Sequence, residues 1–278
     1  MIVSDITEEN IEGFSGLIEE DMAENIGRKT YHGKILTDEE DALGAIIWEY
    51  REVSDFDEES EIKLISFLSE QAGDILFEVY NEEISDRNME RSYFELEEPG
   101  DPVPVILSEE KFSLEKQESR DLYIRVSDLL NLEIAHKKAP SYIEKLKDIP
   151  EKDYKQGILW CLYNGRKGIY EDLSTLPRDW FDMDISCVVR TDGEVTGFFL
   201  VHKTTTGTLI PVLLYAGGAN SRKDLLGMLI SAIKGAGEKY PPETPVMIRR
   251  HSLETKALSA NLFPGMKGRE ILYGERKE

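Results

Sequence analysis

Apolar positions along the chain switch between helical and strand spacing. In residues 5–25, Ile11, Phe14, Ile18 and Met22 recur at intervals of three and four, which predicts an amphipathic helix with Thr7 as its cap and Glu8 and Glu9 at the positive end of its dipole. YHGKIL, LGAIIWEYR and EIKLISFL follow as three strands joined by acidic links. AGDILFEVYNEEISDRNME reads as a helix with Ile75, Leu76, Val79, Tyr80 and Ile84 on one face. PVPVILSE reads as an edge strand, because its prolines have no N–H to give to a ladder.

The same order returns downstream. RDLYIRV predicts a strand, and VSDLLNLEIAHKK, SYIEKLKDI and YKQGILWCLY predict helices. DISCVVR and EVTGFFLVHK form a hairpin around Asp192-Gly193, a two-residue turn signal. GTLIPVLLY is a strand, SRKDLLGMLISAIKGAGEKY a helix, PVMIRR a strand, SLETKALSANLF a short helix and REILYGER a last strand. LGAIIWEY can be laid over TGFFLVHK with Gly44 on Gly197, and EIKLISFL over TLIPVLLY, each followed by a helix. A repeat this long points to duplication of a whole domain rather than to a solenoid unit. The expected fold class is therefore α/β (α+β), with domains at 1–115 and 116–278.

Charge separates the halves. The net charge is −22, with 36 acidic and 11 basic residues in 1–130 against 19 and 22 in 131–278. A polyanion would be repelled by the first part, so nucleic acid is not expected as a partner. No stretch of eighteen apolar residues predicts a membrane span, and the acidic start lacks a signal-peptide pattern, so the expectation is a cytoplasmic protein without a membrane partner. Cys161 and Cys187 stand among apolar residues and read as reduced core thiols. The four histidines show no ligand spacing, so no metal is expected.

With its helices, hairpin, third strand, long helix, strand, short helix and strand, the second half resembles the GNAT superfamily of N-acetyltransferases over roughly residues 120–276. A weaker copy covers roughly 1–115. The resemblance implies two tandem GNAT-like domains, each a mixed, mostly antiparallel sheet flanked by helices. The family's pattern R/Q-x-x-G-x-G/A places backbone N–H groups around the pyrophosphate of acetyl-CoA at a helix N-terminus. The matching frame runs from Arg222 through Lys223, Asp224, Leu225 and Leu226 to Gly227. Leu225 stands where the first glycine belongs, and Asp224 brings a negative charge. Gly217, Gly218, Ala219, Asn220 and Ser221 just before the helix offer an alternative anion cradle, or Asn220 or Ser221 simply caps a helix start. Tyr215 stands beside the implied slot. In the first half the frame is Gln71 to Leu76, with both glycine positions lost and acidic surroundings, so no coenzyme A is expected there. Pro211 within its strand implies a bulge, as the resemblance would have it, or a plain edge.

Acetyl transfer to an amine needs a base and an acid. The resemblance implies a tyrosine acid on the short helix after the fifth strand, but HSLETKALSANLFPG has none; His251, Ser252 and Ser259 are its possible donors. His202, near the end of GFFLVHK, is a candidate base, or an ordinary strand residue. Asp184 is a second candidate, or merely ends a loop. The resemblance implies an N-acetyltransferase using acetyl-CoA on a small-molecule or peptide amine. The alternative is a non-catalytic protein on the same fold, serving for interaction, regulation or small-ligand binding. Leu225 is expected to fill part of the cofactor slot.

Overall fold

A computed structural model of the chain describes residues 1–39, 41–52, 58–87, 89–97, 99–164 and 171–278. They form two compact units, one of Met1–Ser119 with Arg269–Glu278 and one of Arg120–Gly268.

The first unit contains β1 (Ile2–Asp5), α1 (Glu20–Ala23), β2 (Tyr31–Asp38), β3 (Asp41–Glu52), β4 (Glu58–Phe67), α2 (Glu70–Ser85), β5 (Met89–Leu96), α3 (Val103–Glu109) and β6 (Ser113–Glu118). The second contains β7 (Asp121–Arg125), α4 (Val126–Leu130), β8 (Glu144–Lys145), α5 (Glu151–Asn164), β9 (Cys187–Thr191), β10 (Glu194–Lys203), β11 (Leu209–Ala216), α6 (Ser221–Lys239), β12 (Pro245–Arg249) and α7 (Leu253–Leu262). The chain then ends in β13 (Glu270–Lys277). The sheet orders are β1-β2-β3-β4-β5-β13-β6 and β7-β12-β11-β10-β9-β8. Both sheets are antiparallel except at β4–β5 and β11–β12, which are parallel.

Helix α2 lays Leu76, Phe77, Tyr80 and Ile84 on one face of the first sheet, against Trp48 and Phe94. Ile6, Ile18, Ile26, Ile35 and Ile47 form a separate core cluster. In the second unit α6 packs Met228, Leu229, Ala232 and Ile233 with Val189, Phe199 and Val201, while α5 packs Tyr154, Ile158 and Cys161 with Phe198 and Leu200. Alternate residues of β10 thus feed two cores, as the two-residue period of a strand requires.

The registers bear out the match of Gly44 with Gly197. The β2–β3 ladder slips between Leu36 and Thr37, and the β3–β4 ladder between Ile47 and Trp48. The second sheet slips at the same two offsets from Gly197, at Val195/Gly197 and at Leu200/Val201. A Cβ on Gly44 would stand 2.7 Å from the Ser66 carbonyl, and one on Gly197 would stand 2.8 Å from the Tyr215 carbonyl. The next strands correspond with Phe67 at Ala216, since these residues face the two glycines. That is two residues on from the pairing read off the sequence.

Several expected elements differ. Residues 5–25 are no continuous helix: β1 ends at Asp5, a 3-10 turn spans Ile11–Phe14 and α1 has one turn. Gly13 and Gly16 interrupt the run, and the apolar residues reach the core from irregular backbone. PVPVILSE is helix α3 and not an edge strand; Pro104 lies in its first turn, where a missing N–H costs nothing. SYIEKLKDI gives the two-residue β8 and a 3-10 turn, Leu146–Asp148. The helix expected over 72–90 ends at Ser85, with residue 88 of that span outside the described residues, and β5 and β6 follow as strands that the sequence pattern did not announce.

The expected boundaries differ most at the C-terminus. β13 lies between β5 and β6 of the first sheet, antiparallel to both, while β7 holds the place beside β12 in the second. Gly274 lets it fit, since a Cβ there would meet the Phe94 ring at 2.3 Å.

Candidate functional site

The site is built around β11. On one side β11 pairs with β10 along its length, from Lys203↔Leu209 to Gly197↔Ala216. On the other it pairs with β12 only at Leu209↔Val246. Beyond that point two parallel strands continue without a ladder between them, so the sheet splits toward their C-terminal ends. The register step sets Pro211 opposite Val201 and Leu213 opposite Leu200, leaving Val212 as the extra residue of a bulge. Pro211 is therefore at a bulge in an interior strand, which settles the choice between bulge and edge.

At the open end β11 runs into the turn 217–220 and then α6. The Gly217 N–H donates to the Thr196 carbonyl at 3.0 Å. Gly218 has φ of 89°, where a side chain would be strained, and the nearest atom to a Cβ there, Thr191 Oγ1, is 3.9 Å away. Asn220 gives no side-chain cap; its carbonyl accepts from the N–H groups of Lys223 and Asp224. Arg222 and Lys223 are exposed, and the Lys223 ammonium lies 5.3 Å from the Tyr142 ring centre. A helix N-terminus, an open glycine and two exposed cations together suit an anion.

Other residues of the expected site serve packing. Gly217 lies under Trp160, whose ring would be 2.1 Å from a Cβ there. The Tyr215 hydroxyl donates to the Asn164 carbonyl at 3.0 Å, and its ring lies 6.3 Å from Trp160. Gly227 faces Pro140 and Ile143, at 3.1 and 3.5 Å from a Cβ. Asp224 is buried rather than set beside a phosphate position, and Leu225 packs on the core that α6 shares with β10. Ser221 opens the helix, half-buried.

His202 and Asp184 do not meet at this turn. His202 is buried near the opposite end of β10, paired with Ile210; its Nδ1 lies 2.8 Å from the Trp180 carbonyl, and the two rings stack at 3.6 Å. Asp184 pairs with Lys147 and Lys239, each at 2.9 Å. Lys239 ends α6, so Asp184 is separated from Arg222 by about 25 Å of helix at 1.5 Å per residue. Lys239 and Lys147 hold the Asp184 carboxyl down to about 2. Neighbouring Asp182, which the sequence reading passed over, is buried. Burial opposes its ionisation, yet Tyr240, Lys239 and the N–H groups of Ile185 and Asp184 hold its carboxyl below the usual range. This cluster ties the C-terminal end of α6 to the loop before β9. On α7, Ser252 caps the helix and Ser259 is buried with its hydroxyl on the Lys256 carbonyl. His251 Nε2 stands 3.4 Å from Asp121.

The first unit differs at the matching place. β4 and β5 pair from Glu58↔Met89 to Ile62↔Phe94 and then part. Only residues 68–69 join β4 to α2, and Ser69 caps that helix by accepting from the Ala72 N–H at 3.2 Å. Ile106 of α3 closes on Gly73, 2.2 Å from where a Cβ would be. A concavity does occur on α2, but it is lined by Asp74, Glu78, Asn81, Glu82, Ser85 and Glu110, which repel an anion.

No protein-family model and no curated protein sequence matches the chain. Solved structures do. The chain is similar to a tandem GNAT protein from the clavulanic acid biosynthesis pathway at 11% identity, with 99% of this chain and 98% of that one covered and a TM-score of 0.59. It is also similar to GCN5-related N-acetyltransferases from Sphaerobacter thermophilus (12% identity, 99% and 95% covered, TM-score 0.53) and Kribbella flavida (12%, 99% and 70%, TM-score 0.52). The fold is that of the GNAT proteins. More narrowly, it is the tandem form, with two GNAT-like halves in one chain. Among the described residues no helix is long and apolar enough to cross a membrane.

Proposed function

We propose that the second unit is a GNAT-type acyltransferase module that takes acetyl-CoA in the split between β11 and β12 and offers it to a small-molecule or peptide amine. The observation that carries this reading is the turn 217–220 at the open end of the split, where Gly218 is open and Arg222 and Lys223 are exposed, in contrast to the matching place in the first unit. Gly218, the N-terminus of α6, Arg222 and Lys223 fit a diphosphate in charge and in space. Acetyl-CoA would supply the activated acyl group. Leu225 and Gly227 stand where the family pattern has its glycines, and their packing leaves the cradle to the turn before the helix.

Titration calorimetry with coenzyme A tests the reading. One site per chain is expected, weakening as salt rises because the contacts are ionic. Absence of binding at millimolar coenzyme A would overturn it, and two equivalent sites would overturn the assignment to the second unit. A second reading, a non-catalytic protein on this fold, is favoured by the placement of His202 under Trp180 and of Asp184 at the far end of α6. Coenzyme A binding without acetyl-CoA turnover across a panel of amines would support it.

A further inference from the structure

We infer that Trp160 of α5 is a positioning residue for the cofactor turn, an assignment that rests on the acetyl-CoA reading above. The two adjacent glycines of the turn have different causes. Gly218 is required by its φ of 89°, and the space beside it is open. Gly217 is required by Trp160, which fills the volume any side chain would need. The indole thus presses on the peptide between strand and turn, at the point where the Gly217 N–H is held by Thr196.

Helix α5 is firmly held where it makes this contact. Tyr154, Ile158 and Cys161 are buried in its core, and Gly157 brings the helix so close to β10 that a Cβ would fall 2.8 Å from Phe198 and from Val195. The Tyr215 hydroxyl on the Asn164 carbonyl adds a second tie one turn further along α5. Strand end and turn are therefore fixed from outside, by a helix other than the one that carries Arg222 and Lys223. A turn held in its binding geometry before the ligand arrives loses less freedom on binding. Removing the indole leaves the anion contacts in place and raises the cost of ordering the turn.

The test uses coenzyme A as probe on the full chain, followed by calorimetry and by tryptophan emission. Trp48 is fully buried in the first unit, and Trp180 is stacked on His202, so a change of emission on binding belongs to Trp160. Coenzyme A is expected to change the native emission, and Trp160→Phe to abolish that change while keeping affinity within about threefold. Trp160→Ala is expected to weaken binding about tenfold. Tyr215→Phe, which keeps the ring and loses the tie to Asn164, covers the case in which Trp160→Ala does not fold, and is expected to weaken binding about threefold. An emission change that survives in Trp160→Phe would overturn the assignment, as would native affinity in folded Trp160→Ala or in Tyr215→Phe. These results leave the acetyl-CoA reading standing, whereas a native protein that binds no coenzyme A removes both.

Discussion

Removing residues 269–278 from the second half of the sequence should unfold the first unit. β13 is an interior strand there, paired from Leu272↔Leu96 to Lys277↔Arg91 on one side and from Glu270↔Glu118 to Glu275↔Ser113 on the other. Its Ile271 and Tyr273 are 5% and 6% exposed and cluster with Tyr93. Full burial of such side chains is worth about 1.5–3 kcal/mol each, so their loss costs about 3–6 kcal/mol as an upper estimate. Two open ladder edges and the uncovered Tyr93 add to that. Domains have about 5–15 kcal/mol of stability in total, so a chain ending at Gly268 retains little or none in its first unit. Hydrogen exchange followed by mass spectrometry should show β3, β4 and β5 amides exchanging in the truncated chain as they do in denaturant. A synthetic peptide of residues 269–278 should restore part of the protection. Gly274→Ala is the milder form, with overpacking against Phe94 of about 1–3 kcal/mol. A chain of residues 1–268 whose β5 amides remain protected as in the full chain would refute the reasoning, because β13 would then be an appendage.

Leu225→Gly should weaken the protein without strengthening coenzyme A binding. The half-buried leucine packs on the α6 core, so about 1 kcal/mol of burial and about 1 kcal/mol of helix propensity are lost; a rise in coenzyme A affinity by calorimetry would restore the expectation that Leu225 blocks the slot. Asp184 predicts an acid effect. Its carboxyl is held down to about 2 by Lys239 and Lys147, so its contribution is fully present above its unfolded value of about 4 and is lost as pH falls from there toward 2. The melting temperature of Asp184→Asn should therefore lie slightly below native at pH 6 and meet it near pH 2; an equal gap at both would sink the assignment, and the gap at pH 6 is small because the carboxylate is well exposed.

The parts of this fold legible in the sequence are those fixed by neighbours along the chain. The hairpin at Asp192-Gly193 is such a case, with Asp192 at φ 54° and Gly193 at 87°, and so is the amphipathic pattern of α2. Gly44 and Gly197 were legible because LGAIIWEY and TGFFLVHK carry their glycine at the same place, each followed by a strand and a helix. The structure adds that the same register step follows each glycine. What failed depends on partners distant in sequence. REILYGER reads as a strand, but no local property says which sheet receives it. The choice is made by Phe94 fitting over Gly274 and by two ladders to residues more than 150 positions away. PVPVILSE has strand composition, yet its prolines fall where a helix start tolerates them. In the site, the double glycine at 217–218 was a visible signal, while Trp160, which explains half of it, belongs to a helix 57 residues earlier. His202 read as a candidate base because position on a strand does not reveal that Trp180 covers it.

The duplication also sorts the site's features by what they can say about function. Both sheets split after a parallel pair, and both carry the same two register steps. Features present in both halves belong to the fold and cannot by themselves mark activity, since fold and site are separable. Gly44 and Gly197 fall in this group, because each answers to a neighbouring strand carbonyl and not to a ligand. What differs is the connection at the open end of the split. In the first half it is the two-residue link 68–69, a serine cap and Ile106 against Gly73, all in acidic surroundings. In the second it is 217–220, with an open Gly218, no side-chain cap on α6, and Arg222 and Lys223 exposed beside it. A side-chain cap already satisfies helix N–H groups that an anion would otherwise engage. The first half closes its helix start with such a cap. In the second, the N–H groups of Lys223 and Asp224 turn to the Asn220 carbonyl and that of Ser221 to the Gly218 carbonyl, so the contrast lies in the open Gly218 and the two exposed cations. The case for a ligand therefore rests on this contrast between two copies of one scaffold, more than on the damaged glycine pattern inside α6.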